Sequence, residues 1–94
     1  MTRLLITESA QADLDQIWLF IARDNPIAAD QFVERLISRC HSYANQPLLG
    51  ERRPELGPDI RCFSAGSYVV FYLPMADGVQ LARVIHGARD VHEL

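Results

Sequence analysis

Six consecutive residues, Tyr68–Leu73, are all aromatic or aliphatic, with turn signals on both sides: Gly66-Ser67 before, and Pro74 to Gly78 after. A short run of aromatic and β-branched side chains between turns reads as a strand. Its alternation sends Tyr68, Val70 and Tyr72 to one face and Val69, Phe71 and Leu73 to the other. Both faces are therefore apolar, whereas a strand covered on one side only alternates with polar residues. Ile60–Ala65 and Val79–His86 join it through the same two turns, so the second half of the chain is expected to be a three-stranded antiparallel meander.

The first half supplies the cover. Thr2–Thr7 is a short apolar run and reads as a strand, followed by Ser9 as the expected cap of a helix with Asp13 and Asp15 near its N-terminal end. Ala10, Leu14, Ile17, Trp18 and Ile21 recur at helical spacing, and this helix is expected to end near Asp24-Asn25. Asn25-Pro26 then pairs a cap with a first-turn proline. The stripe Ala29, Phe32, Val33, Leu36, Ile37, Cys40, Tyr43 and Ala44 continues over four turns to Pro47. With almost no loop between them, the helices form an antiparallel hairpin, in which Trp18 and Phe32 are expected to be core. Pro47–Asp59 is a proline- and glycine-rich connector, expected to be irregular and pinned by Arg53 and Glu55.

The fold class is thus α+β, in the order βααβββ, with the helical hairpin on one face of a mainly antiparallel four-stranded sheet. Ninety-four residues, 49% of them hydrophobic, make one domain spanning 1–94 and leave no helix for the second face. Part of that face is expected to bind another polypeptide. Leu19, roughly 140° around the first helix from Leu14, is a second partner-facing candidate.

Twelve acidic against nine basic side chains leave a net charge of −3, and every base is arginine. Bulk-charge affinity for nucleic acid is disfavoured. No stretch approaches the roughly 18 apolar residues of a membrane span, and no signal-peptide pattern opens the chain, so a cytoplasmic location is expected. Cys40 and Cys62 match no redox or zinc spacing and read as buried reduced thiols. His86 and His92 complete no ligand set, so no metal is expected. Arg61 and Arg83 stand among alternating apolar strand residues. Each guanidinium must therefore reach water, a partner or a carboxylate such as Glu55 or Asp59. Arg89, after the last strand, is placed to touch a target. His86 reads as a strand-end histidine beside the Gly87 turn.

Ala12-Asp13-Leu14, Asn25-Pro26, Gly50 with Arg53, Glu55 and Leu56, Ile60-Arg61, Tyr68 through Tyr72, and the closing Arg83 to Asp90 resemble the ParE branch of the RelE/ParE toxin superfamily. The resemblance runs from about Leu4 to Asp90. It implies the toxin of a type II toxin-antitoxin system, neutralised by a cognate ParD-like or other small antitoxin in a hetero-oligomer, and inhibiting DNA gyrase and hence replication. Contact with operon DNA would be made through the antitoxin, with no membrane partner and no cofactor. Arg61, Arg83 and Arg89 become target-binding candidates, and Leu19, Tyr68 and Tyr72 partner-binding candidates.

Two other readings remain open. In a RelE-type ribosome-dependent messenger-RNA endonuclease, Glu55 or His86 would act as acid or base, Arg61 and Arg83 would stabilise charge and Tyr72 would position substrate. The absence of lysine and the tail GARDVHEL argue against it, leaving a toxin without chemistry of its own. Alternatively, the chain is a non-toxic partner in an antitoxin-containing repressor complex.

Overall fold

The computed structural model describes residues 2–87. Strand β1 (Arg3–Ile6) leads into helix α1 (Glu8–Ala22), whose cap is Thr7 rather than Ser9. The Thr7 hydroxyl accepts from the Ala10 N–H at 3.1 Å and donates to the Ala82 carbonyl, so one side chain caps the helix and fastens it to the last strand. The Asn25-Pro26 signal behaves as expected: α2 (Pro26–Asn45) starts with the Asn25 side chain accepting from the Ala28 N–H at 3.1 Å.

The sheet has five strands rather than four. Beyond β3 (Arg61–Ala65), β4 (Tyr68–Met75) and β5 (Gly78–His86), the connector contributes β2 (Glu51–Arg52), which pairs antiparallel with Cys62 and Arg61. Strand order is β1-β5-β4-β3-β2, antiparallel throughout except for the parallel β1–β5 pair. The β4–β5 turn is tighter than the sequence suggested, because Pro74 and Met75 stay in the ladder opposite Val79 and Gly78. Gly78 is dictated by β1, since a Cβ there would collide with the Arg3 carbonyl. The register slips between Phe71 and Tyr72, which pair with Arg83 and Leu81 and leave Ala82 as the extra residue of a bulge.

Both helices lie on one face. Leu14 and Ile17 of α1 and Leu36, Cys40 and Ala44 of α2 pack against Phe63, Val70, Tyr72, Val79, Leu81 and Val84. Trp18 and Phe32 are only half-buried, which corrects their assignment to the core. The Trp18 indole N–H donates to Asp30 at 2.7 Å, so the tryptophan ties the helices together from the side.

The second face also differs from expectation. Cys62, Phe71 and Ile85 are buried there, with Leu56 of the connector and Ile60, just before β3, packed against them. The Arg53 guanidinium lies 5.6 Å from the Phe71 ring centroid and is held by Glu55 at 2.7 Å, as the sequence suggested. The connector therefore supplies cover that no helix was available to give, while Val69 and Leu73 stay half-buried. Cys40 and Cys62 belong to cores on opposite faces, and both thiols are free.

Candidate partner-binding groove

Where β5 runs past the end of β1, α1 takes over the exposed edge. The Thr7 N–H donates to the Leu81 carbonyl, and one step along, Asp13 Oδ2 accepts from the Val84 N–H at 2.9 Å. The same carboxylate holds Arg83 in a fork, Nε at 2.7 Å and Nη2 at 3.1 Å. This hydrogen bonding drives Arg83 further toward its protonated form. Arg83 stands opposite Phe71 just past the bulge, and its guanidinium reaches Asp13 at the sheet edge. Arg83 thus has a carboxylate partner, but neither Glu55 nor Asp59.

Beyond this clamp, α1 and the sheet diverge into an open groove of about 920 Å³. Ile17 and Val84 form apolar floor, and Phe32, Tyr68 and His86 make an aromatic wall. Phe32 and Tyr68 lie 5.7 Å apart between ring centroids, and Tyr68 meets His86 edge-on at 5.4 Å. Gly66, at φ +60°, lets the β3–β4 turn close with Phe32 against it. Phe20 of α1 also lines the groove and is 62% exposed. Gln16, Ser67 and the outer edge of Asp13 place polar atoms around an otherwise apolar channel. Its shape and chemistry suit an amphipathic polypeptide segment.

Of the partner-binding candidates, Tyr68 lines this groove and Leu19 is exposed on α1 outside it. Tyr72 is wholly inaccessible, which corrects its placement on a partner surface. Its hydroxyl donates to the Pro47 carbonyl at 2.8 Å and accepts from the Gly50 N–H at 2.9 Å, locking the start of the connector to the core. Burial pushes this phenol's pKa up. Phe20 escaped the sequence reading, although the helical-wheel step that singled out Leu19 also puts Phe20 roughly 120° off the Leu14 stripe.

Of the groups named for nuclease chemistry, Arg61 and His86 stand apart. Glu55 binds Arg53 in the connector, and Arg61 Nη1 donates to the Leu48 and Gly50 carbonyls at 3.0 and 2.9 Å. Arg61 pairs with Tyr72 and His86 with Tyr68, four residues along β4, or roughly 13 Å. Arg89 and His92 lie outside the described residues. Among the described residues, no three His, Cys, Asp or Glu side chains gather as a metal site, and no helix is long and apolar enough to cross a membrane.

Residues 4–91 match the family model described as the ParE toxin of the type II toxin-antitoxin system parDE. The chain belongs to the ParE toxin family. Toxin ParE1 of Mycobacterium tuberculosis is 33% identical to this ParE-family chain over 92 residues, 96% of this chain and 94% of the relative. Toxin ParE3 of Caulobacter vibrioides is 28% identical over 92 residues, 97% and 92% of the two chains. A solved structure described as the chromosomal ParDE TA system from P. aeruginosa shares the fold with a TM-score of 0.70 at 24% identity, covering 92% of this ParE-family chain and 96% of that one. ParE membership thus accounts for the α+β architecture and its helical hairpin.

Proposed function

We propose that this ParE-family chain is the toxin of a type II pair, that its α1–sheet groove receives a segment of a cognate antitoxin in the cytoplasm, and that the released toxin acts on DNA gyrase. The observation that carries the antitoxin part is the exposed Phe20 sharing one open groove with Phe32, Tyr68 and His86. Burying such surface under a partner helix or strand removes apolar area from water without reorganising the toxin core. Membership of the ParE toxin family of a type II toxin-antitoxin system supports an antitoxin as the partner. Operon DNA would be reached through that antitoxin, in keeping with the acidic net charge of the toxin.

Gyrase as the target rests on family membership and on the separation of Arg61 from His86 along the sheet, which favours a toxin that acts by binding over one that cleaves RNA. Arg61, Arg83 and Arg89 stay the target-contact candidates, with Arg83 already engaged by Asp13. Purified toxin, gyrase, ATP and plasmid DNA give the test. Lost supercoiling with linear DNA released by detergent and protease is expected, while unaffected gyrase with folded, antitoxin-free toxin overturns the assignment and moves the search to programmed ribosomes.

A further inference from the structure

Away from the groove, at the Arg61 end of the sheet, a second cavity of about 390 Å³ opens between the connector and the end of β4. Arg61 is fixed there: with Nη1 donating to the Leu48 and Gly50 carbonyls, its guanidinium plane is set, and among the described residues Nε and Nη2 donate to nothing. A guanidinium held by one nitrogen with the Nε–Nη2 edge unfilled is arranged for a bidentate anion. Arg52 lines the same cavity, and its side chain makes no hydrogen bond or ion pair among the described residues.

Two observations select the anion. Asp59 also lines the cavity, so two guanidinium charges meet one carboxylate, and the remaining single positive charge matches a monoanion better than a polyphosphate backbone. Ile60 and Pro74 give it apolar walls, and at its rim Leu48 is 69% exposed with Leu49 beside it at 62%. Nucleic-acid phosphate has no use for those leucines; a peptide side chain does. We propose that this cavity is a carboxylate site, filled by an aspartate or glutamate that stands next to a large apolar residue on a partner polypeptide. The site is separate from the groove and stands whether or not an antitoxin occupies it.

The full chain, labelled with ¹⁵N, tests this by NMR during titration with acetyl-Leu-Glu-Leu-amide. Saturable shifts are expected at the Arg61 Nε–H and the Ile60 amide, with acetyl-Leu-Gln-Leu-amide binding about tenfold more weakly, a difference of about 1.4 kcal/mol. Arg61→Lys keeps the charge, loses the fork and is expected to cost a similar factor. Should it unfold, Arg52→Ala and Leu48→Ala, both at exposed positions, carry the test, each weakening the glutamate peptide several-fold with the spectrum otherwise unchanged. Equal affinity for the two peptides overturns the proposal. So do shifts confined to Phe20 and Tyr68, or Arg61 responding to a short oligodeoxynucleotide and not to the peptide.

Discussion

Replacing Asp13 by alanine removes three hydrogen bonds that join α1 to β5. Two bind Arg83 and one satisfies the Val84 N–H on the side of β5 that faces away from β4, beyond the last residue paired with β1. The two contributions differ in worth. Side-chain exposure of 35% for Arg83 and 17% for Asp13 leaves their attraction partly screened, so the pair contributes about 0.5–1 kcal/mol. The charge-assisted bond from the Val84 N–H is more sheltered and contributes about 1.5–3 kcal/mol. Asp13→Ala is therefore expected to cost about 3 kcal/mol and to lower Tm by about 15 °C in a domain of this size. Arg83→Ala leaves Val84 satisfied and is expected to cost only about 1 kcal/mol, with Asp13→Asn between the two. Urea unfolding followed by Trp18 fluorescence measures all three. A loss under about 1 kcal/mol for Asp13→Ala, or equal losses for Asp13→Ala and Arg83→Ala, refutes the assignment of the larger share to the strand edge.

Three more outcomes are expected. Tyr72→Phe keeps the ring but strands the Gly50 N–H and the Pro47 carbonyl, and thermal unfolding is expected to show a loss of about 2 kcal/mol; an unchanged Tm would mean that water replaces the hydroxyl. Phe20→Asp, at an exposed position, is expected to leave Tm within about 2 °C while weakening antitoxin binding in calorimetry about 100-fold, as a desolvated aromatic anchor does; unchanged affinity removes the groove from the interface. Burial pushes the Cys40 thiol from 9.0 up to about 12, so above pH 9 the unfolded chain loses a proton that the folded chain keeps. Stability that is fully present below pH 9 therefore falls by about 1.4 kcal/mol per pH unit toward pH 12, and Cys40→Ala is expected to flatten that slope in denaturant unfolding at pH 8 to 11.

Both helices, the Asn25-Pro26 start and the β3–β4 hairpin were legible in the sequence because each is encoded within a few residues: a cap, a 3.6-residue stripe, a glycine at a turn. The strand β2 was not. Glu51-Arg52 carries no strand signal and pairs only because the connector is held by the Tyr72 hydroxyl and the Arg61 guanidinium. The groove was half legible, since alternation brought Tyr68 forward while Phe20 passed unnoticed on the far side of an amphipathic helix.

Local pattern alone thus determined the order of elements, the two-sided apolar demand of β4 and, through motifs spread over the chain, the toxin family. Tertiary structure alone decided what met that demand. Period-two alternation states that Tyr68, Val70 and Tyr72 share a face but not which part of the chain lies over each. Helix α2 and the start of the connector together covered Tyr72 completely, Tyr68 was left at a groove, and the later part of a connector that reads as irregular covered Phe71. Asp13 and Arg83, 70 residues apart, meet only once β1 has ended opposite Leu81 and left the further edge of β5 to α1. No local signal encodes a bond whose two partners are brought together by the fold itself.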